Sequence, residues 1–181
     1  MIVREGAPDT LLADLEAGRI DMIVGRLTSP STDSVVRAPL HEEQVEVFAG
    51  THHPLAGADS LTLHDLQSYP WILPGTETAL RHELEQAFTR AGAALPENRV
   101  EATSFLTVRQ LLHETDTVAV LPSLIGRGDT QVHSLPVTLS TISHSVGLTV
   151  AAGRPLGPSA LVLVENLRTV AGGLQRSSSA T

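Results

Sequence analysis

The chain has 181 residues, and its 12 basic against 20 acidic side chains give a formal charge of −8, a balance that argues against a surface built to wrap nucleic acid. Every basic residue is an arginine and there is no cysteine, which excludes lysine Schiff bases, phosphate-loop lysines, disulfides and thiolate chemistry. Hydrophobic residues make up 41%, enough for a core, yet aromatics are only 3% and the apolar runs are too short to cross a bilayer.

Residues 1–5 are not a signal peptide and read as a strand already in progress, which suggests a chain cut from something longer. Pro8-Asp9-Thr10 then carries helix-start chemistry, with Asp9 or Thr10 as the cap. Leu11, Leu12 and Leu15 share one helical face and Gly18 supplies the stop. Residues 20–25 form a short apolar run of the kind found in buried parallel strands, so the first 25 residues read as a right-handed βαβ unit.

Residues 35–40 and 45–49 read as two strands joined through polar His41-Glu42-Glu43-Gln44, and the turn-rich stretch 50–60 marks a change of region. A short helix is expected over 61–66 and a buried strand over 71–73. The clearest helix spans 78–91: Leu80, Leu84, Ala87, Phe88 and Ala91 recur on one face before Gly92. Further on come a strand over 100–102 and a helix over 104–113 with Phe105, Val108, Leu111 and Leu112 inward. A fully apolar strand over 117–121 ends at Pro122, and strands follow over 131–135 and 146–151. A last helix covers 159–170, and residues 175–181 are a disordered, solvated tail. Strands and helices in this order argue for two α/β lobes.

Here a resemblance enters. The stretch from Leu11-Leu12 through Gly18-Arg19-Ile20-Asp21 to Ile23-Val24-Gly25-Arg26 resembles a segment of LysR-type transcriptional regulators. His53-Pro54-Leu55-Ala56 is similar to the motif that opens that family's second lobe, and Leu63-His64-Asp65-Leu66 before Trp71-Ile72-Leu73, then Val118-Ala119-Val120-Leu121-Pro122, match further motifs in the same order. The resemblance runs from Met1 to about residue 173. It implies an effector-binding domain: two Rossmann-like lobes of the periplasmic-binding-protein type with a ligand cleft between them. Lobe I would then hold residues 1–49 and 147–174, and lobe II residues 50–146. The family's DNA-binding helix-turn-helix, linker helix and first lobe I strand and helix have no counterpart in this sequence. DNA would be reached only through that missing module, and the intact regulator is expected to be a homo-oligomer.

Catalytic motifs do not fit. Neither Pro122-Ser123-Leu124 nor Pro158-Ser159-Ala160 sits in a nucleophile-elbow sequence, and Gly126-Arg127-Gly128 lacks the third glycine of a dinucleotide loop and reads as a loop. His52 and His53 are adjacent and read as a surface turn rather than a metal site. No enzyme activity, metal, cofactor or membrane partner is expected.

Binding features remain. Arg26 follows an apolar strand, at the end where open α/β sheets bind ligands, and reads either as a ligand contact or as a surface arginine paired within its own lobe. Gly75-Thr76 precedes the clearest helix, with Thr76 an N-cap and the helix start an anion site. Thr103-Ser104 repeats that pattern, where capping alone is the competing account. If the implied fold holds, Arg26, Leu27 and Thr28 meet Gly75, Thr76, Ser104 and Phe105 at the cleft, with Leu121-Pro122 beside them and Leu27, Phe105 and Leu121 as apolar walls. Glu77 runs against an anionic ligand. The expected function is sensing of a small organic acid or sugar-like molecule by a cytoplasmic transcription regulator. A transport solute-binding protein shares the implied fold, and a small α/β enzyme is the third reading.

Overall fold

The computed structural model describes residues 1–139 and 142–178 and resolves into two compact units. One consists of Met1–Glu42 and His144–Thr181, the other of Glu43–Ser143. Both crossings of the boundary fall inside long strands, β2 (Val35–Gly50) and β7 (Ser143–Ala151).

The first unit starts with helix α1 (Pro8–Glu16), where Pro8 occupies the first turn and Ala7 is the extended N-cap. No side chain caps it, so the expected capping by Asp9 or Thr10 is not used. Gly18 ends it with φ 75°, a left-handed conformation that glycine reaches without strain. Strand β1 (Met22–Arg26) pairs antiparallel with β7, Met22 opposite Val150 and Arg26 opposite Val146, and β7 lies next to β2. The expected parallel βαβ unit is therefore not formed. Residues 1–7 are not a strand, and Ile2 and Val3 are exposed; an extended segment with no neighbouring strand leaves its backbone groups to water. Helix α5 (Pro158–Ser178) closes the unit. Residues 175–178, expected in a tail, continue that helix, because no glycine or proline follows Gly173 to stop it; 179–181 lie outside the described residues.

The second unit has strand order β6-β2-β5-β3-β4. Here β3 (Trp71–Leu73) pairs in parallel with both β4 (Arg99–Glu101) and β5 (Val118–Pro122), while β2 pairs antiparallel with β5 and with β6 (Val132–Leu135). Each parallel strand leads into a helix: β3 into α2 (Ala79–Arg90), β4 into α3 (Phe105–Glu114) and β5 into α4 (Ser123–Arg127). Two apolar clusters fill the unit. Trp71, Phe88, Leu84, Leu66 and Leu73 anchor one, and Phe48, Ile72, Leu112 and Leu121 the other.

Four expectations fail here for local reasons. The 35–40 and 45–49 strands are one strand, because His41-Glu42-Glu43-Gln44 contains no turn former. Residues 61–66 form a bridge to Val137 and turns rather than a helix, since Asp65 Oδ2 accepts from both the Thr62 N–H and hydroxyl and captures the backbone locally. Gly126-Arg127 belongs to helix α4 and not to a loop: the Phe48 ring lies 2.2 Å from where a Gly126 Cβ would be. Phe105 is 40% exposed instead of inward, leaving Val108 and Leu112 as the buried residues of α3.

Candidate functional site

Parallel pairing puts the carboxyl ends of β5, β3 and β4 along one edge of the second unit, the edge where α/β sheets bind ligands. Two loops leave that edge side by side, because the Ala102 N–H donates to the Leu73 carbonyl (3.1 Å) and holds the ends of β3 and β4 together.

The first loop starts α2. Gly75 is buried, and its carbonyl accepts from both the Thr78 N–H (3.0 Å) and the Thr78 hydroxyl (2.8 Å). Thr78 Oγ1 in turn accepts from the Arg81 N–H (3.2 Å). Thr78 is thus the N-cap and Thr76, expected in that role, stands exposed before it. A Cβ on Gly75 would lie 2.5 Å from both carboxylate oxygens of Glu77, so the Glu77 carboxylate rests against the Gly75 backbone. The second loop starts α3 at Ser104, whose hydroxyl makes no capping bond. Ser104 and Phe105 are exposed next to an uncapped first helical turn whose N–H groups have no intrahelical acceptor.

Arg81 braces the two loops. Only 4% exposed, it donates from Nη1 to the Pro74 carbonyl (3.0 Å) and to Glu101 Oε1 (2.9 Å), and from Nε to Glu85 Oε1 (2.7 Å). Burial alone works to lower its pKa, but the hydrogen bonds and charges of Glu85 and Glu101 win and hold it above the usual arginine value. Pro74 precedes Gly75 and Glu101 ends β4, so one guanidinium links both loop starts. Sequence reasoning passed over Arg81. Its spacing of three and seven residues from Leu84 and Phe88 was the available signal, since it puts an arginine on an apolar helical face.

The other expected positions fall as follows. Leu121 is 8% exposed and packs with Phe48, Ile72 and Leu112, so it is a core residue and not a ligand wall. Pro122 is the half-buried N-cap of α4. In the first unit Arg26 is half-buried at the end of β1, and the Leu27 N–H continues the ladder to the Ser145 carbonyl (2.8 Å). The Leu27 side chain covers Gly147, its Cδ1 lying 2.7 Å from where a Cβ would be, and Thr28 is exposed.

Two titrating features outside these loops were not foreseen. His53, expected on the surface, is 3% exposed; its Nδ1 accepts from the Leu55 N–H (3.1 Å), and its ring lies 4.5 Å from Tyr69. Burial lowers its pKa against the opposing pull of Asp116. Asp129 accepts from the Gln131 N–H (2.9 Å), from Arg109 and from His113 Nε2 (3.1 Å). The backbone bond, joined by Arg109 and His113 and opposed by burial, holds its carboxyl below the ordinary value.

This arrangement of backbone amides, exposed hydroxyls and a braced loop pair is suited to holding a small polar molecule. The comparisons agree with the architecture. The model of the LysR substrate binding domain matches residues 1–172. The regulator GalR of Pseudomonas putida is 29% identical over 176 residues, covering 94% of this chain and 44% of its own length; the chain spans about half the length of the curated relatives it matches. Among solved structures, the effector-binding domain of BenM with benzoate superposes with a TM-score of 0.72 at 18% identity, covering 95% of this chain and 78% of its own. That of QuiR with shikimate gives 0.71 at 16% identity, covering 93% and 79%. The fold is the α/β fold of these domains, with Rossmann-like lobes of the periplasmic-binding-protein type. The chain belongs to the LysR substrate-binding domain family.

Proposed function

We propose that this chain is the effector-sensing part of a bacterial transcription regulator and that it binds a small organic acid or sugar-like metabolite. The observation that carries the reading is the pair of loops at the carboxyl edge of β3 and β4, with exposed Thr76 and Ser104 and an uncapped α3 start. BenM and QuiR, which share the fold, are solved with benzoate and shikimate, and both are small carboxylates. In the proposal, Gly75, Thr76, Ser104, Phe105 and Pro122 of the second unit contact a ligand, and Arg26, Leu27 and Thr28 of the first unit are binding residues in their own right. Arg26 takes the ligand carboxylate through its planar fork. The role is sensing rather than catalysis, and it takes place in the cytoplasm. DNA is contacted by a separate module of the regulator, which acts as a homo-oligomer.

Calorimetry with shikimate and with benzoate tests this. At least one should bind, and Arg26→Ala should weaken it by about 1.5–3 kcal/mol, the worth of a charge-assisted hydrogen bond. Unchanged affinity in Arg26→Ala removes Arg26 from the site, and loss of binding in Ser104→Ala without loss of stability places the ligand at α3.

A further inference from the structure

We propose that Glu77 is the specificity determinant of the α2 loop: it selects ligands that present hydroxyl or ammonium donors there and rejects a carboxylate. The proposal rests on the ligand-binding reading above and goes beyond it, because two helix starts on one sheet edge would otherwise favour anions without distinction.

Three observations point this way. The first is the position of the carboxylate. Both Glu77 oxygens lie 2.5 Å from where a Gly75 Cβ would sit, so the group is folded back onto the backbone of the very loop expected to hold the ligand. The second is its lack of engagement. Among the described residues Glu77 makes no hydrogen bond and no ion pair, so its lone pairs remain available to an incoming donor.

The third is the local charge. Arg81 is the cation beside this loop, and it is already committed to Glu85, Glu101 and the Pro74 carbonyl. Thr78 closes the helix start from within, its hydroxyl accepting from the Arg81 N–H. With Arg81 paired to Glu85 and Glu101, and Glu77 standing against Gly75 as a third carboxylate, these loops carry three acidic groups to one guanidinium. A ligand carboxylate brought onto Gly75-Thr76 would therefore meet a like charge at close range, whereas a hydroxyl would meet a charged acceptor, which forms the stronger class of hydrogen bond.

The test compares native protein with Glu77→Gln, which removes the charge and keeps the shape. Two probes are titrated by NMR while the Gly75 and Thr76 amides are followed: benzoate, which is charged and has no donor, and methyl shikimate, which is uncharged and rich in hydroxyls. At an exposed site one unit charge at contact distance is worth about fivefold in affinity. Glu77→Gln should tighten benzoate and weaken methyl shikimate, each by about fivefold. A shift of the same sign for both probes, or no shift for either, overturns the role of Glu77 while leaving the site in place. If neither probe moves the two amides in either protein, the ligand site at this loop falls, and the role of Glu77 falls with it.

Discussion

The two units differ in how completely they bury their apolar residues. The second contains Trp71, Phe48, Phe88, Leu66, Ile72 and Leu73, all at or below 2% exposure, arranged on both faces of a sheet covered by helices. In the first, Leu15, Val35 and Leu148 are buried, yet Val24, Val36, Leu161, Val162 and Val170 are exposed along with Met1, Ile2 and Val3. A cavity of about 530 Å³ opens there between residues 1–4, β1 and the start of α5. The second unit also leaves Val100, Phe105, Leu106, Leu124 and Ile125 exposed, but the fully buried aromatic side chains Trp71, Phe48 and Phe88 all belong to it, so the larger share of the free energy of apolar burial lies there.

The strongest way to sharpen that contrast is Trp71→Ala. Trp71 is fully buried, meets Phe88 edge-on at 5.2 Å and donates from Nε1 to the Leu66 carbonyl (2.9 Å). Its truncation should cost about 3–5 kcal/mol, measured by urea denaturation followed by circular dichroism, since the chain holds no second tryptophan for fluorescence. Leu15→Ala should cost less, about 2–3 kcal/mol, although Leu15 is equally buried. Its surroundings on α1 are partly solvated and relax more easily. A cost at Leu15 equal to that at Trp71 breaks the comparison.

The smallest effect is acid sensitivity, and it should come from the second unit. His53 binds a proton less readily folded than unfolded, because burial lowers its pKa from 6.5. Its contribution is fully present above pH 6.5 and is lost as the pH falls through the lowered value. Asp129, held below 3.8, contributes above that pH and loses its contribution as the pH falls through its own depressed value. Thermal midpoints should thus be flat above pH 6.5 and fall in two steps below it. His53→Asn should flatten the first step, and an unchanged first step assigns it to another group.

Legibility in the sequence did not follow that division. In the second unit the helix expected over 78–91 is Ala79–Arg90, Gly92 closes it at φ 67°, and the strand expected over 71–73 has those bounds, whereas residues 61–66, Gly126-Arg127 and Phe105 took other roles because side-chain contacts decided them. In the first unit β1 was legible as a strand but not in its direction. An apolar run such as Met22-Ile23-Val24 suits a parallel or an antiparallel partner equally, and its partner β7 comes near the far end of the chain. At the candidate site the loops were legible from strand-turn-helix order. The cap at Thr78 in place of Thr76, the buried Arg81 brace and the core position of Leu121 depend on contacts between elements, which local pattern does not encode.

The division of the chain also sets an order of events during synthesis. The second unit is one continuous stretch, Glu43–Ser143, whereas β1 waits for β7 before it can form a ladder, Met22 pairing with Val150. A ribosome delivers a chain N-terminal end first, so α1 and β1 emerge before the second unit and stay without their sheet until it has been delivered whole. For that interval the exposed strand edge and the leucine face of α1 are the parts of the nascent protein most in need of a chaperone.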